Sequence, residues 1–327
     1  MDGRDALLAD LDGVVYRGSL AIPGAVESLN RASAMMRVGY ITNNASRTDE
    51  AVAAHLSSFG LSVQPADVVT SPQAAVRMLR DAVPPASTVL VVGGEGLTRE
   101  VERAGFTMTR VAADLPAAVI QGFAPEVGWG DLAEASFALH RGIPWIATNT
   151  DWTIPLEGGV APGNGTLVSA VHTAVGRLPE VAGKPESPIF SEAARRFDAH
   201  NPLFVGDRLD TDIVGANRVG MSSALVLTGI DGPRQVMAAD PHSRPDYIVD
   251  DLTGLHEPYP KVVDTIHKRS GDRVVTVRGA VVRQSEHRIT LERAGDSRID
   301  LLRAGAVAVW GSGRAIYGLE VETAIYE

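Results

Sequence analysis

The sequence predicts an α/β protein: a parallel sheet assembled from βαβ units, with a second α/β domain inserted into it and a small β-rich appendage at the C-terminus. Three observations carry this reading. Short β-branched or apolar runs alternate with stretches of helical period through the first 230 residues, the pattern of βαβ units. The turn-rich DAVPPAS (81–87) and the loop from Gly176 to Lys184 bracket a middle segment. Beyond HEPYP (256–260) and the charged HKRSGDR, the pattern changes to period-two alternation.

In chain order, the strand candidates are ALLADL, RVGYIT, DVVTS, STVLVVGG, AAVIQG, IPWIAT, PLFVGD and SSALVLTG. GAVESLNRASAMM and SPQAAVRMLRDAV are typical of the helical stretches between them. The tail reads RVVTVRGAVV, HRITLER and AVAVWGSGRAIYGLEVETAIY, alternating runs with turn signals such as GSG. A hairpin-rich segment of this size needs a partner surface to be stable, so packing on the rest of the chain is the first expectation for the tail, ahead of an oligomer contact or a small-ligand sensor.

Composition narrows the function. The chain has 327 residues, 45% of them apolar, enough for two or three domains. Asp and Glu outnumber Lys and Arg by 40 to 30, and a net charge of −10 is unsuited to gripping nucleic acid. With no cysteine, disulfides, zinc–thiolate sites, iron–sulfur clusters and thiol nucleophiles are excluded, and any metal must be held by oxygen or imidazole. No run approaches the roughly 18 apolar residues of a membrane span, and Asp10 and Asp12 interrupt the only signal-like stretch. A cytoplasmic protein without a membrane partner is expected.

In parallel α/β sheets, ligands bind beyond the carboxyl ends of the strands, and polar residues recur there: DLDG, TNNAS, TNTD and GDRLDTD. In DLDG, Asp10 and Asp12 leave the first strand just before Gly13. One carboxylate can attack an electrophile while the other handles the leaving group's proton; a pair of aspartates capping a helix gives the same residues. TNNAS (Thr42, Asn43, Asn44) offers a hydroxyl and backbone N–H groups at a helix start, which makes either an anion site or a plain N-cap. Lys184, in VAGKPES, is not part of a P-loop, because Pro185 replaces the magnesium-binding Ser or Thr. Asp207, Asp210 and Asp212 fall within six residues, and acids clustered without Cys or many His favour a hard cation, Mg²⁺ above all. In TNTDW, Asn149, Asp151 and Trp152 stand at another strand end, with Asp151 equally suited to a turn. VLVVGGEG lacks the GxGxxG spacing of a dinucleotide site.

Taken together and in this order, DxDG, the strand-end threonine, the lysine and GDxxxxD resemble the four motifs of the haloacid dehalogenase-like hydrolases. DGVVYRG, ITNNAS, IATNTDWTIP, GNGTLVSAV, EVAGKPES and GDRLDTDIVGAN are similar to segments of the subfamily with a large cap between the second and third motifs. That subfamily includes 4-nitrophenyl phosphate, phosphoglycolate and glycerol 3-phosphate phosphatases. The resemblance spans about residues 5–255 and does not include the tail. One departure falls at QGFAPEV, where many relatives carry an acid near Ala124.

The resemblance implies a Rossmann-like parallel-sheet core over 1–82 and 180–258 and a cap that sets substrate specificity over 83–179; the change of pattern, not the resemblance, sets off a C-terminal β-rich domain of unknown role over 270–327. It implies a Mg²⁺-dependent phosphatase in which Asp10 is the nucleophile and Asp12 the general acid and base. The metal is expected on the carboxylates of Asp10 and Asp207 and the backbone carbonyl of Asp12, with Asp212 behind them. Thr42, Asn43, Asn44 and Lys184 are expected to bind the phosphoryl group, with Asn149 and Asp151 near the leaving group. Glycerol 3-phosphate is the first substrate expected and 2-phosphoglycolate the next. A phosphomutase or a non-catalytic metabolite-binding regulator on the same fold is the alternative. Relatives with this cap are often homodimers.

Overall fold

The run ALLAD is apolar up to its last residue, and every side chain of the strand it forms, Ala6–Asp10, is buried. The strand Leu203–Gly206 is buried throughout as well. Strands covered on both faces need such continuous hydrophobic runs, which is the signature of a parallel sheet. A computed structural model describes residues 3–156 and 158–327 of the chain. Its backbone falls into two compact units, one of residues up to Val38 together with Asn201–Glu327, the other Gly39–His200.

In the first unit, Ala6–Asp10 pairs in parallel with Leu203–Gly206, with Leu8 opposite Phe204. Leu203–Gly206 pairs in turn with Ser222–Val226, and that strand with Tyr247–Val249. A five-stranded sheet follows. Val262–Ile266, Arg273–Val277, Ala280–Ser285 and Arg288–Arg293 form an antiparallel meander, and Glu320–Val321 adds in parallel to the last of these.

The tail contains this β-structure and also a 14-residue helix, Arg298–Gly311, where alternation in AVAVW predicted strand. Ser297 caps its start by accepting from the Asp300 N–H. GSG turns out to end this helix, not a strand: Ser312 is the C-cap and Gly313 has φ +68°. The helix does not sit on the meander alone. Leu301, Leu302 and Val309 share one hydrophobic core with Val275, Val282 and Ile289 of the tail and with Leu209, Ile213, Leu225 and Met237 from outside it. Inside this interface lies a buried ion pair: Arg303 donates to Asp300 at 2.7 Å and to the Ile248 carbonyl at 2.9 and 2.6 Å, while its guanidinium sits 4.5 Å from the centre of the Tyr259 ring.

In the second unit, the end of the strand Arg37–Thr42 pairs in parallel with Val68–Thr70, with Ile41 opposite Val69. A separate five-stranded sheet runs in the order Glu180–Val181, Trp145–Ala147, Ala118–Gln121, Thr88–Val92, Thr107–Thr109, all parallel. The helices Trp129–Leu139 and Asn164–Val175 cover this sheet through Ala135, Leu139, Val168 and Val171, which pack with Leu90, Val119 and Trp145. Thr153–Leu156 and Gly159–Pro162 form a two-stranded antiparallel ribbon. The helix Ser71–Ala82 begins with proline in its first turn, and Gln73 Oε1 accepts from the Thr70 N–H, a start dictated by TSPQ. Among the described residues, no helix is long and apolar enough to cross a membrane.

Candidate active site

Two groups of side chains account for the residues singled out from the sequence, one in each unit. In the first, Asp10 ends its strand, and Asp207 follows Leu203–Gly206, one strand over. Asp212 lies in the helical turn Leu209–Ile213. One carboxylate oxygen from each of these three acids lies within 4.8 Å of the others. All three are buried, at 8%, 1% and 0% exposure. Asp12 is exposed, just past the bend at Leu11.

Asp212 Oδ2 accepts from the N–H groups of Asp207 at 3.1 Å and Arg208 at 3.2 Å, which fixes the turn that presents Asp207. Asp207 Oδ2 accepts from the Ile230 N–H at 2.7 Å. Asp210, the third acid of the sequence cluster, points elsewhere and pairs with Arg208 at 2.8 Å on the surface.

Glycine makes the packing around Asp207 possible. A Cβ on Gly229 would stand 1.9 Å from Asp207 Oδ2, and one on Gly13, whose φ is +81°, would stand 2.4 Å from the same atom. Thr228 Oγ1 donates to the Gly13 carbonyl at 2.6 Å, and Arg17 donates to the Thr228 carbonyl. Asp231 accepts from the Leu209 N–H at 2.6 Å and donates its own N–H to the Asp207 carbonyl at 3.1 Å. Burial pushes the Asp231 carboxyl up, against the pull of the Leu209 N–H. The segment Thr228–Asp231 was not singled out from the sequence. The TGIDG turn after the apolar SSALVL is the signal that points to it.

Three buried carboxylates this close repel one another strongly unless a cation or protons intervene. Their oxygen-only donor set, with no thiolate or imidazole, suits Mg²⁺.

In the second unit, Thr42 ends its strand, buried, and its Oγ1 accepts from the Asn44 N–H at 3.1 Å. Asn44 Oδ1 accepts from the Ser46 N–H and hydroxyl, shaping the turn. Asn43 grips Lys184 at two points: its Oδ1 accepts from the Lys184 N–H at 2.8 Å, and its Nδ2 donates to the Lys184 carbonyl at 3.1 Å. The same Nδ2 reaches Asp151 Oδ1 at 3.2 Å. Asn149 Nδ2 donates to the Asn43 carbonyl at 2.7 Å, and its Oδ1 accepts from the Asp151 N–H. Asn164, from GNGT, holds Asn149 in turn through its carbonyl at 2.7 Å.

Lys184 is 4% exposed, which for a lysine requires nearby polar groups. Gly183 lets it approach: a Cβ there would lie 2.5 Å from the Thr148 carbonyl oxygen and 2.6 Å from Asn43 Oδ1. Thr42, Asn43, Asn149, Asp151 and Lys184 are thus brought together, with the side chains of Asn149 and Asp151 turned to Asn43. Trp152 is exposed.

Residues 7–107 match a family model described as haloacid dehalogenase-like hydrolase, and residues 181–255 match one described as HAD-hydrolase-like. The chain is 42% identical over 307 residues to a D-glycerol 3-phosphate phosphatase of Mycobacterium tuberculosis, covering 94% of this chain and 86% of that protein. It is 38% identical over 282 residues to a glycerol-3-phosphate phosphatase of Gallus gallus, covering 77% and 90%. A crystal structure of a glycerol phosphate phosphatase from Mycobacterium tuberculosis in complex with magnesium superposes with a TM-score of 0.83 at 40% identity, covering 98% of this chain and 94% of that one.

Proposed function

The chain belongs to the haloacid dehalogenase-like hydrolases, and from that premise we propose that it hydrolyses a small phosphomonoester, glycerol 3-phosphate, through a phosphorylated Asp10. The observation that carries the reading is the buried trio Asp10, Asp207 and Asp212, an arrangement whose mutual repulsion a bound cation would relieve and that a nucleophilic carboxylate can use. Glycerol 3-phosphate ranks ahead of 2-phosphoglycolate because relatives from a bacterium and a bird are both named for it.

In the first step, an Asp10 carboxylate oxygen attacks phosphorus, the ester P–O bond breaks, and the proton of Asp12 passes to the departing alkoxide. In the second, Asp12 takes a proton from a water molecule whose oxygen attacks the same phosphorus. Inorganic phosphate leaves and the Asp10 carboxylate is restored. The carboxylates of Asp10 and Asp207 and the carbonyl of Asp12 would hold Mg²⁺, with Asp212 supporting the Asp207 turn, and the ion would supply the positive charge that lets two carboxylates and a phosphate share one space. Thr42, the backbone N–H of Asn43, the Asn44 turn and Lys184 hold the transferring oxygens, where charge builds in the transition state.

In this reading residues 1–82 and 180–258 act as the catalytic core. Residues 83–179 act as a cap that admits small esters, with Asn149 and Asp151 near the leaving group. An exposed Asp12 beside a buried Asp10 suits an acid that must exchange protons with water.

Phosphate release from a panel of esters that includes glycerol 3-phosphate and 2-phosphoglycolate, with and without Mg²⁺, tests the proposal beside Asp10→Asn. Turnover that requires Mg²⁺, vanishes in Asp10→Asn and has its highest kcat/KM on glycerol 3-phosphate is the expected result. Absence of release from every ester by folded, metal-loaded protein would overturn the phosphatase reading, and a different ester at the top of the ranking would overturn the choice of substrate.

A further inference from the structure

The second unit carries a cavity of about 200 Å³ lined by five arginines. Three helices supply them: Ser71–Ala82 gives Arg77 and Arg80, Glu95–Arg103 gives Arg103, and Ser187–Phe197 gives Arg195 and Arg196. In a protein of net charge −10, such a concentration of guanidinium groups needs an explanation.

Local pairing explains only part of it. Arg103 meets Asp49 at 2.9 Å, Glu100 at 2.7 Å and also Glu50. Arg195 and Arg196 share the single carboxylate of Glu192, at 2.8 and 3.0 Å. Arg196 is further committed to the Val68 carbonyl and to Gln73. Five guanidinium groups therefore face four carboxylates, three of which are taken by one arginine. Arg77 and Arg80 have no hydrogen bond or ion pair among the described residues.

Helix polarity does not account for the remainder either. Arg80, Arg103, Arg195 and Arg196 stand in last turns, where cations offset the helix dipole, but Arg77 lies mid-helix. Gln73, Arg77 and Arg80 recur at helical spacing (i, i+4, i+7) and so form one stripe toward the cavity. Planar guanidinium forks that are less strongly hydrated than ammonium groups are suited to phosphate and carboxylate oxygens.

We propose that this cavity is a second anion site, distinct from the phosphoryl site, which takes a small multivalent anion on Arg77 and Arg80 with Arg195 beside them. Its volume, about 200 Å³, admits a molecule the size of pyrophosphate or citrate. The inference does not depend on the phosphatase reading, since none of these residues takes part in the proposed chemistry.

Calorimetric titration of the full chain at low ionic strength with chelator present, using inorganic pyrophosphate in one arm and citrate in the other, tests it. The chelator keeps the three-carboxylate site repulsive to anions. Binding of at least one probe, weakened tenfold or more in Arg77→Ala/Arg80→Ala, is expected, and whichever arm binds tighter identifies phosphate or carboxylate chemistry. The Arg77→Gln/Arg80→Gln variant, which keeps the polar side-chain stems, should lose binding equally while its thermal midpoint and its turnover of phosphate esters stay at the wild-type values. Failure of both probes to bind the wild-type chain, or equal binding by both double variants, would overturn the proposal.

Discussion

Asp207 Oδ2 accepts a hydrogen bond from the Ile230 N–H at 2.7 Å, and residue 229 is a glycine whose absent Cβ would otherwise stand 1.9 Å from that oxygen. The acid is therefore aimed by an N–H 23 residues downstream, and the aim depends on a missing methyl group. Gly229→Ala must displace either the loop or the carboxylate. An error of about 1 Å in a catalytic group can cost roughly 100-fold in rate. The expected result is a kcat/KM reduced by about that factor and a higher Mg²⁺ requirement, in a protein whose circular dichroism is unchanged. A metal titration of activity compares the two proteins, and a wild-type profile would refute this role for Gly229.

Asn43 presents a second test. Its amide holds both the N–H and the carbonyl of Lys184, so Asn43→Ala leaves the Lys184 backbone without this partner and frees Asp151 from it. Leaving a buried polar group unsatisfied costs about 1–3 kcal/mol. Urea unfolding should show a loss in that range. KM for the phosphate ester should rise together with a fall in kcat, because Lys184 is no longer held in place.

The pair Arg303–Asp300 is buried on both sides and also caps the Ile248 carbonyl. Removing one member of a buried pair costs about 3–5 kcal/mol where the other is left uncompensated, and here Asp300 keeps a contact with Arg278 at 3.3 Å, which places the expected loss toward the low end. Arg303→Leu should therefore lower the denaturant midpoint markedly. The double variant Arg303→Leu/Asp300→Leu should recover part of the loss. If the single variant is as stable as wild type, the pair does not anchor the tail helix.

Glu192 connects stability to pH. Burial pushes its carboxyl up, but hydrogen bonds and charge from Arg195 and Arg196 more than reverse this and hold it below the ordinary carboxylate value. A group with a depressed pKa in the folded state stabilises the fold above its unfolded pKa, about 4.3 for glutamate. That contribution disappears as pH falls through the folded value. Wild type should thus exceed Glu192→Gln in stability near pH 7, and the gap should close below about pH 4. Thermal unfolding of both proteins across this range measures it, and a gap independent of pH would contradict the ion-pair account.

The clearest signals in the sequence were those in which one residue type had to lie at the end of an apolar run. Asp10, Thr42 and Asp207 were legible because strand periodicity stops at each of them, and the parallel pairing of Leu8 with Phe204 then puts Asp10 and Asp207 on neighbouring strands. The TGIDG turn was not legible as part of the site, because what it gives Asp207 directly is the Ile230 N–H and the missing Cβ of Gly229, while its side chains, Thr228 and Asp231, bond to backbone groups. The tail helix was misread for a different physical reason. Asp300 to Ala306 are all buried, as are Ala308 and Val309, so the helix has almost no polar face to mark a period of 3.6. Its small and β-branched residues then read as alternation.

The parallel pairing of Ala6–Asp10 with Leu203–Gly206 has a consequence for biosynthesis. Almost two hundred residues separate Asp10 from Asp207, so at about 5–20 residues per second the first acid waits roughly 10–40 s at the ribosome for the second. Throughout that interval, the Ala6–Asp10 segment has no Leu203–Gly206 strand to pair with, and the nascent chain is without its complete set of three acids. The charge cluster that calls for a cation becomes possible only once Asp212 has been added, about two thirds of the way along the 327-residue chain.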